Sequence, residues 1–195
     1  MSAIFFDVGD VLIVDTIDRK YADLATKYSL DIEALRQTRK RIRPPADLGR
    51  ISDPEFWQMS LKEMGITAQP EDWELGACYQ EIQGTREIVM QLKTKGYPLA
   101  IITDDSREMA MERRVRFGYE GLFDKVIVSA ECGYAKPDER IYLLALREMN
   151  AAAETSWFID NLEVNLVGAR KVNIQTLLFK NAAELVQDLR SVGIL

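Results

Sequence analysis

The sequence predicts an α/β protein: a parallel sheet with helices on both faces, and a block of helices inserted after the first strand. Three observations carry this. Short apolar runs alternate with amphipathic stretches of helical spacing from residue 85 onward, the pattern of strands joined by helical crossovers. Residues 14–84 carry helix signals and no clear strand. Several apolar runs end abruptly in a carboxylate or hydroxyl: Phe5-Phe6-Asp7, Ile101-Ile102-Thr103-Asp104 and Phe158-Ile159-Asp160. In an open α/β sheet, ligands bind at the carboxyl ends of the strands.

The first strand is Ala3–Phe6, and it runs straight into Asp7-Val8-Gly9-Asp10. A carboxylate at the end of a buried strand is costly unless something pairs with it. Asp7 is therefore a candidate nucleophile or metal ligand. A helix follows over residues 15–28, with Ile17, Tyr21, Leu24 and Tyr28 on one face. Ser29 or Asp31 caps a second helix through Ile42, which Pro44-Pro45 should stop. Ser52-Asp53-Pro54-Glu55 combines a cap, a first-turn proline and a capping-box acid. That third helix carries Phe56, Trp57, Leu61 and Met64 and ends at Gly65. A fourth is expected from Pro70 to about Ile82. Then come helix 85–94, strand 98–103, helix 105–117, strand 125–129 and helix 138–149. Strand 155–159, helix 162–172, strand 175–179 and helix 182–191 complete the chain. Right-handed crossovers place all the strand ends on one side. Asp7, Thr103 and Asp160 should meet there, with Lys136 entering from a loop or helix start.

Composition narrows the chemistry. The 195 residues suffice for one core and a small accessory domain. Hydrophobic residues make up 47% and charged residues 29%, ordinary for a soluble domain. The net charge of −6 argues against nucleic acid or an anionic membrane as the main partner. No apolar run approaches the ~20 residues of a membrane span, and the N-terminal apolar segment lacks the flanks of a signal peptide. A cytoplasmic location is the expectation. Cys78 and Cys132 read as two reduced, partly buried thiols. There is no histidine, so His-based triads and His-ligated zinc are excluded. Acid, base or nucleophilic chemistry must come from carboxylates, lysine, hydroxyls or a metal-bound water.

Set in order, strand-Asp7, strand-Thr103, Lys136-Pro137 and strand-Asp160-Asn161 resemble the four motifs of the haloacid dehalogenase-like hydrolases. The resemblance covers nearly the whole chain. It implies a Rossmann-like core from residues 1–13 and 85–195, with a small helical cap over 14–84. It also implies Mg²⁺-dependent hydrolysis of a small phosphorylated metabolite, in a monomer or homodimer with no nucleic-acid or membrane partner. By resemblance Asp7 attacks phosphorus, Thr103 and Lys136 hold the phosphoryl oxygens, and Asp104 sits beside the substrate. Asp7, the Gly9 carbonyl, Asp160 and Asn161 hold the metal.

Two positions depart from the family pattern. Gly9 stands where a second aspartate usually donates a proton to the leaving group and activates water. General acid–base help contributes roughly 10²–10⁴-fold. The Asp-x-Gly pattern resembles a branch that includes sugar-1-phosphate phosphatases. Asn161 stands where the fourth motif usually has an acid, and an amide holds Mg²⁺ more weakly than a carboxylate. Glu163 is expected on the exposed side of its helix start. Asp10, one residue out of register, is expected to point elsewhere, and Asp104 with Asp105 to cap the following helix. The basic run Arg36, Arg39, Lys40, Arg41 and Arg43 reads as a solvated face, or as the source of one arginine, Arg43 beside Pro44, that reaches an anionic substrate. Phe56, Trp57 and Trp73 read as core of the helical block. The departures leave two other readings: a catalytically impaired member that binds a ligand or partner, and a metal-free 2-haloacid dehalogenase. Against the latter, that branch resembles Asp-x-Tyr-Gly-Thr where this chain has Asp7-Val8-Gly9.

Overall fold

A computed structural model describes residues 1–14, 17–73 and 79–195, without the side chain of Trp73. The expectations for Asp15, Cys78 and the Trp73 ring lie outside the described residues. The centre of the molecule is a five-stranded, all-parallel sheet. Its strands are β1 (Ile4–Phe6), β4 (Leu99–Thr103), β5 (Lys125–Val128), β6 (Trp157–Asp160) and β7 (Gln175–Leu178). They lie in the order β5-β4-β1-β6-β7. The chain builds outward from β1 to one side and then to the other. The strand order therefore reverses around β1, and a crevice opens there at the carboxyl ends.

The pleat divides the apolar residues between two cores. Ile4 and Phe6 join Leu99, Ile101, Ile88, Leu92, Leu185 and Leu189 on one face. Ala3 and Phe5 join Ala100, Ile102, Phe158, Ile141, Tyr142 and Leu166 on the other. Phe5 and Phe6 are both fully buried, each contributing about 1.5–3 kcal/mol of apolar burial. The covering helices are α4 (Gln83–Thr94) and α10 (Ala182–Ser191) on the first face, and α8 (Glu139–Glu148) and α9 (Glu163–Lys171) on the second. The period of two puts Asp7 on the same side as Phe5.

Three helices, α1 (Ile17–Tyr28), α2 (Ile32–Asp47) and α3 (Asp53–Lys62), stand between β1 and α4. Asp31 caps α2, and Ser52 with Glu55 forms the capping box of α3 as its sequence predicts. The buried side chains Tyr21, Leu24, Leu35, Phe56, Trp57 and Leu61 continue one of the two sheet cores without a break. Phe56 and Trp57 are core, as expected.

Several expectations are corrected here. Helix α2 does not stop at Ile42 but runs through Pro44 and Pro45 to Asp47. The prolines fall in its last turns, where Arg43 bonds Asp47 one turn on, Nε to Oδ1 at 2.6 Å. Among the described residues the helix expected over 70–82 is not found: Pro70–Trp73 is a single 3₁₀ turn, Gln80–Glu81 is extended, and residues 74–78 lie outside the described residues. The block is also not strand-free. Residues Ile13–Val14 (β2) pair antiparallel with Gln80–Glu81 (β3), so the chain enters and leaves the helical block through one small ribbon. Two short helices, α6 (Tyr119–Leu122) and α7 (Ser129–Cys132), escaped the sequence reading. The longer α5 (Arg107–Phe117) follows β4 as expected. No described helix is long and apolar enough to cross a membrane.

Gly168 in α9 sits against the Lys136-Pro137 loop. A Cβ there would lie 2.5 Å from the Pro137 carbonyl oxygen and 2.8 Å from its Cβ. The close approach sets how far the loop reaches over the sheet edge. Gly168→Ala is expected to lower stability by roughly 1–3 kcal/mol through overpacking, read as a lower urea midpoint. Gly121→Ala, with open space around the added methyl, serves as the neutral control. Equal midpoints for the two variants would remove the constraint.

Candidate active site

The crevice at the sheet edge is a cavity of about 260 Å³. Asp7, Gly9, Thr103, Asp104, Lys136 and Asn161 all line it. Six of the seven predicted site residues therefore meet in one place. The seventh, Asp160, is fully buried beside it.

Lys136 ties the group together. Its Nζ lies 2.6 Å from Asp7 Oδ1 and 2.9 Å from Asp160 Oδ2, with all three side chains nearly out of water. Adjacent strands cause this geometry. Phe6 pairs with Ile159, and the Asp7 N–H donates to the Ile159 carbonyl at 2.9 Å. Two strands side by side thus end in carboxylates at nearly the same level. Asp160 is held on every side: Oδ1 accepts from the Leu162 N–H at 2.7 Å, and Oδ2 accepts from Asn165 Nδ2 at 2.9 Å as well as from Lys136. Asp160 thereby anchors both Lys136 and the start of α9.

Asp104 and Asp105 do not cap the helix after β4. Ser106 does, its hydroxyl accepting from the Met109 N–H. Asp104 Oδ1 instead accepts from the Lys136 backbone N–H at 2.9 Å. Asp105 Oδ2 accepts from the Thr103 hydroxyl at 2.9 Å, and Oδ1 accepts from Arg113 Nη1 at 2.6 Å. All three side chains of that chain are buried. The sequence reading missed Asp105 and Arg113 as site residues. The available signal was an arginine four residues after Met109, on the stripe that α5 turns inward.

Asp10 is also corrected. It lines the cavity from a left-handed backbone position, φ 55°, in a tight turn where the N–H groups of Val11, Leu12 and Ile13 converge on the Val8 carbonyl. The arginines of α2 divide. Arg36 and Arg41 are exposed and pair with Asp18, Glu33 and Glu63, and Lys40 is exposed. Arg39 and Arg43 line the cavity. Arg43 is committed to protein acids: besides Asp47, its Nη1 bonds Asp53 Oδ1 at 2.8 Å. Ser106 Oγ donates to the other Asp53 oxygen at 2.7 Å. Glu163 is exposed as expected and pairs with Arg170. Cys132 is a half-buried free thiol, which burial pushes up in pKa.

Burial sets the electrostatics of the site. Burial pushes the Asp7 carboxyl up to about 6; Lys136 pulls against that shift and Asp160 adds to it. Burial likewise pushes Asp104 up to about 7, against the pull of Lys136. Burial alone would lower the Lys136 ammonium, but Asp7, Asp160 and Asp104 outweigh it and hold it charged. Among the described residues no group of three or more Asp, Glu, Cys or His side chains forms a ready cage for a metal. Asp7, Gly9 and Asn161 line the cavity with Asp160 buried beside them, a set whose possible donors are carboxylate, amide and backbone oxygens. Hard oxygens around an excess of buried negative charge fit Mg²⁺, which keeps several of its waters and needs few protein ligands.

Residues 54–179 match the model of the haloacid dehalogenase-like hydrolase family. The chain is 26% identical to the glyceraldehyde 3-phosphate phosphatase of Pyrococcus abyssi, over 92% of this chain and 82% of the relative. It is 28% identical to that of Methanothermobacter thermautotrophicus, over 91% and 85%. Among solved structures, a HAD family enzyme of Bacteroides thetaiotaomicron in complex with magnesium and inorganic phosphate superposes with a TM-score of 0.77. It covers 93% of this chain and 95% of that one at 18% identity, a likeness of fold.

The raised Asp104 carboxyl has a consequence for stability. Below its ordinary value of 3.8 it is protonated in both folded and unfolded chains; above about 7 it is charged in both, and the folded state bears the burial cost. Its contribution to stability therefore falls as pH rises through that window. Asp104→Asn keeps an acceptor for the Lys136 N–H and removes the charge. It is expected to be more stable than the native chain at pH 8, by on the order of a few kcal/mol, and equal to it near pH 4. Thermal melts at the two pH values check this; no gain at pH 8 would refute it.

Proposed function

The chain belongs to the haloacid dehalogenase-like hydrolases, and on that premise we propose that it is a Mg²⁺-dependent phosphatase of small phosphorylated metabolites. One observation carries the reading: Asp7 stands at the end of the central strand, inside a cavity, with a buried lysine 2.6 Å from its oxygen. The relatives named as glyceraldehyde 3-phosphate phosphatases support the substrate class.

In this mechanism an Asp7 oxygen attacks phosphorus and the bond to the leaving oxygen breaks, leaving the phosphoryl group on Asp7. Lys136 and the Thr103 hydroxyl, turned from Asp105, hold the equatorial oxygens, and the lysine offsets their charge. Asp105, fixed by Arg113, takes the Thr103 hydroxyl when no phosphoryl group is bound. Asp7, the Gly9 carbonyl and Asn161 face the cavity as donors for Mg²⁺, with Asp160 behind them. When bound, the metal would neutralise charge between the incoming phosphate and the carboxylates. The helices of residues 14–84 act as the cap that closes the cavity, the β2–β3 ribbon being their attachment.

Gly9 offers no side chain to protonate the leaving oxygen or to activate water. The enzyme should therefore favour substrates whose leaving group departs unaided, such as acyl phosphates and sugar-1-phosphates, and turn over alkyl phosphates slowly. Phosphate release from p-nitrophenyl phosphate is expected to need Mg²⁺, to stop with EDTA and to vanish in Asp7→Asn. After reaction with acetyl phosphate, intact-mass measurement should show a persistent phosphate adduct on the native chain and none on Asp7→Asn. Release that survives in Asp7→Asn would sink the nucleophile; rapid loss of the adduct would show that another group activates water.

A further inference from the structure

Four cationic side chains line the cavity: Arg39, Arg43, Arg113 and Lys136. Three are committed to carboxylates of the protein. Lys136 holds Asp7 and Asp160, Arg113 holds Asp105, and Arg43 holds Asp47 and Asp53. Arg39 differs. It is half-buried, lies one helical turn before Arg43 on the same side of α2, and makes no hydrogen bond or ion pair among the described residues. The nearby acid on its own helix, Asp47, feels its charge but accepts from Arg43 at 2.6 Å instead. Arg39 and Lys136 enter the cavity from different parts of the fold, the helical block and the sheet edge.

We propose that Arg39 is a specificity residue: it binds a second anionic group, a carboxylate or phosphate, on the substrate end remote from the phosphoryl group that reacts at Asp7. This rests on the phosphatase reading and deepens it. A guanidinium presents paired donors that match a carboxylate or phosphate oxygen pair. Held part-way out of water without a partner, it gains more from an anion than a solvated arginine does. A cavity of about 260 Å³ holds a molecule of a few carbons between two anionic ends. Among phosphates of equal leaving ability, the site therefore prefers a small bis-anion to one with a neutral tail.

The test uses a matched pair, 3-phosphoglycerate and glycerol 3-phosphate. They share a three-carbon chain and an alkyl leaving oxygen and differ in a carboxylate against an alcohol. Calorimetric titration of the native chain, Arg39→Ala and Arg39→Lys with Mg²⁺ gives affinities, and phosphate release gives kcat/KM. The native chain should prefer the carboxylate, and that preference should shrink roughly tenfold to a hundredfold in Arg39→Ala, with partial recovery in Arg39→Lys. A KM effect without a matching fall in kcat marks recognition and not loss of the fold. Turnover of both esters with no preference, or a preference that Arg39→Ala leaves intact, overturns the Arg39 assignment while the phosphatase reading stands. Discriminating affinity without phosphate release does the reverse. No binding of 3-phosphoglycerate by the native chain overturns the proposal.

Discussion

Lys136 is the constraint on which the site depends. The parallel pairing of β1 and β6 brings Asp7 and Asp160 to one level at the sheet edge, where both are buried. Two carboxylates that close, in a poor dielectric, repel strongly. A buried cation between them makes the arrangement tolerable. Removing one partner from such a buried set costs several kcal/mol because it leaves a charge uncompensated. The surrounding structure is shaped to deliver that one ammonium. Gly168 lets α9 approach Pro137 closely, Asp104 takes the Lys136 N–H, and Asn165 shares Asp160 with the lysine.

The helical block is fastened to the sheet by the same device on a smaller scale. Arg43 of α2 and Ser106 at the start of α5 share the two oxygens of Asp53 on α3. Three segments from two parts of the fold thus meet at one buried carboxylate. Arg43 also lies over the Phe56 ring at 5.2 Å, so its charge and its stem both serve packing. Spent in this way, Arg43 is not the substrate arginine that its place beside Pro44 had promised. The neighbour one turn earlier has no such commitment.

What was legible in the sequence follows from where the information is local. Every strand of the parallel sheet could be read, because a buried strand shows as an apolar run and its end as a sudden polar residue. The capping box of α3 could be read from four residues. The errors fall where tertiary contacts outweigh local preference. Proline ends a free helix, yet α2 runs through two to Asp47, where Arg43 ties its end to Asp53 on α3. Asp104 and Asp105 look like caps because short acids favour helix starts; here a lysine loop and Arg113 claim them first, and Ser106 takes the cap. Arg113 was missed, although it lies on the inward stripe of α5, because its partner Asp105, eight residues earlier, was itself misread. Asp10 seemed out of register on the assumption of an extended strand. Its φ of 55° turns the chain, and the alternation of faces no longer applies.

The charge balance decides what the cavity can admit. The chain carries a net charge of −6, and a phosphate ester is itself an anion, so the long-range field does not draw it in. Salt screens that field beyond about 8 Å under physiological conditions, and recognition is left to groups inside the cavity. There the acids Asp7, Asp10, Asp47, Asp104 and Asp105 face four cations, most of them already neutralised by those acids. Positive charge left for a ligand is therefore confined to two places: Lys136 at the end beside Asp7, and Arg39 on α2. An anion placed anywhere else meets carboxylates. Burial raises the Asp7 and Asp104 carboxyls, and the scarcity of free cations beside them restricts where the charges of a substrate can lie.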